Sequence, residues 1–343
     1  MNNADPRVSV LMPAYNAGKF IDESIQSVLN QTYDDWELVV VNDCSTDDTV
    51  ERIQKYDDAR IRLIHTPENL KLCRALNYGL KHCKGELVAR LDSDDNATPN
   101  RLELQVKAMN DNPDWAVVGG YSNTIDENSV QIKSWTETFR PTYPEVVSFS
   151  AAFKNIFRHS AATFRRSVIE QAGGYPEWMD IEDYALWSKL LCENHRLANL
   201  AVPLCEYRVH GGSIMVKATA AAVETKAEPR RPMAQEIYTR CARHIGLSES
   251  RAERWGELWV RVRLPISGES ISVAELHDLL SELASNRPIG TEFSIEVKKV
   301  LSFAYGQLFR VAKRQGNFIQ CFKIGLAACF QVGPLKIAAS LLR

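Results

Sequence analysis

The sequence predicts an α/β protein with a mostly parallel sheet, followed by a helical region. Three observations carry this. Compact apolar runs such as "VSVLMPAYN" (8–16) and "WELVVVND" (36–43) alternate with helical spacings over the first hundred residues. Those runs are rich in β-branched residues, as strands covered on both faces are. From about residue 233 to 343 the pattern is helical, without strand alternation.

The elements follow in order. After the first strand, "GKFIDESIQSVLNQT" (18–32) has helical spacing, and 36–43 is the second strand. "STDDTVERIQKY" (45–56) reads as a helix with Ser45 or Thr46 as N-cap and acids in its first turn. "RIRLIHT", the helix "LCRALNYGLKHC" and the strand "ELVARLD" complete a βαβαβαβ series, which calls for right-handed crossovers. In "ATPNRLELQ", Thr98 is expected to cap a helix with Pro99 at its first position. "WAVVGGYSNTID" is a strand, "IEDYALWSKLLCENH" a helix starting near Ile181, and "ANLAVPLCEYRVH" a strand. Residues 216–232, rich in Ala, Lys, Glu and Pro, suit a linker or an exposed helix. The expected division is a catalytic domain over 1–218 and a helical region over 219–343.

Bulk properties exclude several classes. A chain of 343 residues holds two domains, or one with an appendage. With a net charge of −2 and no dominant basic stripe, there is no electrostatic case for nucleic acid. The N-terminal residues lack the features of a signal peptide, and no run approaches the roughly 18 apolar residues of a membrane span. The eight cysteines are scattered, without a C-x-x-C pair, as reduced thiols of a cytoplasmic protein would be.

In an open parallel sheet, ligands bind beyond the carboxyl ends of the strands. Three strands here end in polar groups: Pro13-Ala14-Tyr15-Asn16, Asn42-Asp43 and Asp92-Ser93-Asp94-Asp95. Dinucleotide, P-loop and nucleophile-elbow fingerprints are absent, which argues against a dehydrogenase, a P-loop NTPase and an α/β-hydrolase. Asp92 and Asp94 would share one side of an extended chain. At about 4 Å they would repel by roughly 4 kcal/mol at an effective dielectric near 20. A divalent cation removes that cost. Solvated turn and cap acids are the other reading. The short motif does not choose between them.

The ordered segments "VSVLMPAYN", "SVLNQTYDDWELVVVNDCSTDDT", "ENLKLCRALNYGL", "GELVARLDSDD" and "EDYALW" resemble the family 2 glycosyltransferases of the GT-A fold. The resemblance spans about residues 7–215. It implies an inverting transfer from a nucleotide-diphosphate sugar, expected to be UDP-linked, to a hydroxyl of a glycan or lipid-linked acceptor. A bacterial surface-polysaccharide role would follow.

By the same resemblance, Pro13, Ala14, Tyr15, Asn16, Asp43, Asp92 and Ser93 face the donor, with the Asp43 carboxylate able to accept a uracil N3–H. Asn42 stands where many members have Asp. Cys44 and Lys71 stand where Gly is common. Lys71 either reaches the donor or is a solvated helix-start lysine. Asp94, with His210 and Asp92 nearby, would hold Mn²⁺ or Mg²⁺. Asp183 would be the base, with Glu182 the second acid of the catalytic pair; about 100° apart on a helix, one can face the cleft while the other braces the scaffold. His159, Arg165 and Trp187 are the expected acceptor-side residues, although core packing suits Trp187 equally.

A sugar-1-phosphate nucleotidyltransferase would want a Gly-rich loop containing Arg after the first strand, and "PAYNAGKF" is not one. A non-catalytic sugar-nucleotide-binding scaffold is the alternative outside enzymes. The apolar tail "NFIQCFKIGLAACFQVGPLKIAASLLR" suits either a peripheral contact with the inner face of the membrane or two short helices packed on the protein; packing is favoured.

Overall fold

A computed structural model describes residues 5–135, 139–177, 181–213, 227–263, 271–290, 294–316 and 324. Of the segment expected as linker or exposed helix (216–232), residues 216–226 lie outside the described residues, as does the apolar tail (317–343, Ile324 apart), while 227–232 are helical. The protein divides into two compact units. One comprises Met1–Arg140, Phe157–Leu190 and Asn194–Lys217; the other Pro141–Ile156, Leu191–Glu193 and Ala218–Arg343.

The first unit is built on a sheet. Its strands are β1 (Val8–Ala14), β2 (Trp36–Asn42), β3 (Ile61–His65), β4 (Leu87–Arg90), β5 (Asn96–Ala97), β6 (Trp115–Ile125), β7 (Gln131–Lys133), β8 (Thr163–Arg165) and β9 (Arg196–Arg208). They run in the order β3-β2-β1-β4-β8-β6-β9-β5, with β7 paired to β6. The long ladders are parallel: β1 with β2 and β4, β2 with β3, and β6 with β9. The short pairings of β8, β5 and β7 are antiparallel. β1 and β2 are buried at every residue, as their continuous apolar runs require.

Helices α1 (Ile21–Leu29), α2 (Thr49–Ile53), α3 (Lys71–Leu80) and α4 (Arg101–Asp111) connect this half. Ile21, Ile25 and Val28 of α1 and Leu102, Val106 and Met109 of α4 join one core with the inward residues of β1, β2 and β4. Two cap expectations are corrected. The helix after "ATP" begins at Arg101, and the Arg101 N–H bonds the Thr98 carbonyl at 3.0 Å. Thr98 and Pro99 therefore form a turn ahead of the helix. Likewise α2 begins at Thr49, because the Asp47 carboxylate, not Ser45 or Thr46, accepts the Thr49 N–H.

α6 (Arg166–Gln171) and α7 (Glu182–Cys192) follow β8, which is entered through a 3-10 turn at His159–Ala161. The second unit is helical: α5 (Pro144–Ala151), α8 (Ala227–His244), α9 (Glu249–Arg263), α10 (Val273–Ser285) and α11 (Ser294–Arg314). The stacked indoles of Trp255 and Trp259 centre its core. Their N–H groups satisfy the carbonyls of Ala152 and Phe153 just past α5. No described helix is long and apolar enough to cross a membrane.

Candidate active site

The carboxyl ends of β1, β2 and β4 open into a cleft of about 580 Å³. Its lining includes Pro13, Ala14, Tyr15, Asn16, Asp43, Lys71, Asp92, Ser93, Asp94 and His210. Every residue expected on the donor and metal side thus comes to one place. β1 delivers 13–16, and Tyr15 is exposed rather than a core aromatic. The loop after β2 is pinned to it: the Asn16 side-chain oxygen accepts the Thr46 N–H at 2.8 Å, and the Asn16 N–H donates to Ser45 Oγ at 3.0 Å.

Asp43 is buried, and its carboxylate already accepts the N–H groups of Leu70 (2.7 Å) and Lys71 (2.9 Å) and the Thr66 hydroxyl (2.9 Å). A carboxylate offers about four acceptor positions, so one remains for a ligand donor. Asn42 is a turn anchor, accepting the Ser45 N–H at 3.1 Å. Cys44 and Lys71 each hold φ at 62°, the left-handed region that a side chain disfavours. That is the backbone reason for glycine at these two positions in the family pattern.

The acidic segment does not continue the strand. β4 ends at Arg90, and 92–95 turn back with the Asp95 N–H toward the Asp92 carbonyl. The side chains still converge: carboxylate oxygens of Asp92, Asp94 and Asp95 lie within 4.8 Å of one another. Their environments differ. Asp92 is ion-paired to the buried Arg90 guanidinium and accepts the Ser160 hydroxyl at 2.6 Å. Burial alone would raise its carboxyl; Arg90 outweighs that and holds it low.

Asp95 is fully buried, and burial together with Asp92 and Asp94 pushes its carboxyl well up. Its Oδ1 accepts the Arg208 N–H at 2.8 Å, and Oδ2 has no partner among the described residues. Asp94 is part-exposed and faces His210, with Nε2 3.0 Å from Oδ2. His210 Nδ1 accepts the Gly212 N–H at 3.1 Å, which assigns the neutral ring proton to Nε2. A carboxylate suits Mn²⁺ or Mg²⁺, and an unprotonated imidazole nitrogen suits Mn²⁺. Asp94 fits such an ion directly; His210 would join it through Nε2 once the ring proton moves to Nδ1 and the Gly212 contact opens. Asp92 fits less well, with both oxygens engaged.

On the acceptor side, Glu182 and Asp183 open α7. Asp183 Oδ1 accepts the Tyr184 N–H at 2.6 Å. Burial, then the neighbouring Asp183, raises the Glu182 carboxyl to about 8. Its Oε2 has no partner among the described residues, and Oε1 lies 3.7 Å from His159 Nδ1.

Three acceptor-side expectations change. His159 is enclosed by Tyr175 (Nε2 to the phenol oxygen, 2.9 Å), Trp187 and Glu182, and burial, then Arg90, holds its ring neutral. Trp187 is 0% exposed, packed against Phe157 and Phe164, and cannot form a sugar-stacking wall. Arg165 pairs with Leu87 at the amino end of β4 and bonds Glu86 and the carbonyls of Trp115 and Met109. That is the far end of the sheet from the cleft.

The sequence reading passed over Arg90, Ser160 and Arg208. Arg90 was legible as the one charged residue in an apolar strand. Ser160 and Arg208 gave no local signal, since their partners lie 68 and 113 residues away.

A mostly parallel sheet with an acidic turn and a cleft at its carboxyl edge is the arrangement that the resemblance to glycosyltransferases implies. Comparison makes that specific: the Glycosyl transferase family 2 profile matches residues 9–173. The chain is 37% identical over 219 residues to the Escherichia coli O-antigen biosynthesis glycosyltransferase WbnJ, covering 62% of this chain and 84% of that one. It is 33% identical over 211 residues to an Escherichia coli UDP-Glc:alpha-D-GlcNAc-diphosphoundecaprenol beta-1,3-glucosyltransferase, WfgD, covering 61% and 80%. The chain belongs to glycosyltransferase family 2.

Two solved structures share the fold. S. aureus TarS 1–349, in complex with UDP-GlcNAc, aligns with a TM-score of 0.61 at 18% identity, over 95% of this chain and 92% of that one. The mannosyltransferase PcManGT from Pyrobaculum calidifontis, with GDP-Man and Mn²⁺, aligns at 0.55 and 20% identity, over 96% and 88%.

Proposed function

We propose that this glycosyltransferase moves a sugar, with inversion, from a UDP-linked donor to a hydroxyl of a glycan or lipid-linked acceptor in bacterial surface-polysaccharide synthesis. The observation that carries the reading is the single cleft that gathers Tyr15, Asp43, Asp94 and His210 from separate strand ends. Related chains named for O-antigen, teichuronic acid and amylovoran synthesis support the pathway class. The UDP-sugar donor in one relative's name supports the nucleotide.

Asp43 and the 13–16 segment hold the base and ribose. Asp94 and His210 would hold the cation, which when bound neutralises charge on the leaving diphosphate. Asp183 accepts the proton of the attacking hydroxyl. Beside it, Glu182 stays protonated at neutral pH, so a second carboxylate does not compete for that proton.

Calorimetric titration of UDP, GDP and dTDP, each with Mn²⁺ and with EDTA, tests the donor. UDP is expected to bind tightest, and more tightly with Mn²⁺ than with EDTA. No binding by any of the three would overturn the reading. In the transfer assay that follows, Asp183→Asn should keep UDP affinity while losing at least about a hundredfold in turnover. Unchanged turnover would remove Asp183 as the base.

A further inference from the structure

Asp92 is the cleft acid with the most elaborate support, and none of that support lines the cleft. Arg90, 1% exposed, ion-pairs with Oδ1 through Nη2. Ser160, also 1% exposed, donates its hydroxyl to Oδ2 at 2.6 Å. The same Ser160 oxygen accepts from Arg90 Nη1 at 3.0 Å and from the Asp92 N–H at 3.2 Å. A hydroxyl has one donor and two acceptor positions, so these three contacts use Ser160 fully; the buried Asp95 carboxyl lies close enough to the same hydroxyl to feel it.

The clamp is itself fixed. Arg101, 1% exposed, donates Nη1 to the Ser160 carbonyl at 2.6 Å and Nη2 to the Arg90 carbonyl at 2.7 Å. Gln105 Nε2 donates to the Ala161 carbonyl at 2.9 Å. The 3-10 turn bearing Ser160 is thus tied by α4 to the end of β4. Asp94 has no counterpart to this. Arg208 reaches only its backbone carbonyl, and its carboxylate meets His210 alone among the described residues.

We propose that Arg90 and Ser160 are positioning residues that make Asp92 a hydrogen-bond acceptor for the donor's hydroxyl groups and keep it out of the cation's ligand set. A guanidinium in ion-pair contact repels a second cation. Two charge-assisted bonds leave each Asp92 oxygen one lone pair, aimed in a fixed direction, which suits a sugar or ribose hydroxyl. The cation is left to Asp94 and His210. This inference rests on the donor-site reading of the cleft.

The test is UDP titration into the full chain, with Mn²⁺ and with EDTA, alongside thermal melting. Ser160→Ala should weaken UDP roughly tenfold in both conditions, as loss of a bond to a charged group does, leaving the Mn²⁺-to-EDTA affinity ratio unchanged. Ser160→Thr, which keeps the hydroxyl, should restore most of the affinity. Asp94→Ala should collapse the ratio instead. In an Asp92→Asn background, Ser160→Ala should cost less than about twofold, because Ser160 acts through that carboxylate.

A collapsed ratio in Ser160→Ala would make Asp92 a cation ligand and overturn the assignment. Undiminished affinity in Ser160→Ala, or full additivity with Asp92→Asn, would overturn it too. Either result, with wild type binding UDP, leaves the donor-site reading standing. A wild type silent to every nucleotide overturns both.

Discussion

Glu182 is buried where its neighbour Asp183 is half-buried, and the burial of Glu182 is measurable as a stability. Burial holds the Glu182 carboxyl near 8 in the folded chain, against an ordinary value of 4.5. Between those two values the unfolded chain has released its proton while the folded chain keeps it. Stability therefore falls as pH rises from about 4.5 to about 8 and flattens above. Glu182→Gln, an isosteric neutral group, removes this slope. Chemical denaturation from pH 5 to 8 should show wild type losing stability relative to the variant. Parallel curves would mean the side chain is ionised and solvated. His159, held neutral, works in the opposite sense and is common to both proteins.

Among the elements, the start of α3 carries an unusual cost. Its backbone is clamped by Asp43, which takes the N–H groups of Leu70 and Lys71, and the clamp forces Lys71 to φ 62°. A left-handed residue with a Cβ costs about 1–2 kcal/mol, and glycine's greater freedom when unfolded offsets about 0.5–1 of that. Lys71→Gly should stabilise the protein by about 0.5 kcal/mol in urea melts, and Lys71→Ala should not, because alanine keeps the Cβ. Equal effects from the two would remove backbone strain as the cause.

The order of strands and helices was legible in the apolar periods. The elements that misled were caps: Thr98 and Ser45 are good cap residues by type, but Asp47 and the turn at Pro99 came to hold those ends through contacts that spacing does not show. Trp187 misled for a related reason. Helical position marks which residues share a face, not which face meets the cleft.

At the scale of the molecule, the cleft lies wholly within the first unit, and the second has its own core around Trp255 and Trp259. Nucleotide at about a hundred times its dissociation constant stabilises whatever must be folded to bind it by about 2.7 kcal/mol. Amide hydrogen exchange with UDP and Mn²⁺ should therefore slow in β1, β2, 92–95 and 208–213. The rates in α8–α11 should stay as they were. Slowing spread evenly over both units would show that they open as one. The sheet and its carboxyl edge could be read from the chain because they are local patterns repeated. The shared work of Arg90, Ser160, Arg101 and Arg208 could not, since each takes its meaning from a partner strand.

The acidic turn is closed by a segment made much later: Asp95 waits for the backbone of Arg208, and Asp94 for His210. A chain emerging from the ribosome can pair β1, β2, β3 and β4 early, from neighbours in sequence. Until more than a hundred further residues have appeared, Asp94 and Asp95 lack these partners. The arrival of β9 brings Asp95 the Arg208 N–H. Completion of the acidic turn is therefore expected to come late in synthesis, after β1–β4 have paired.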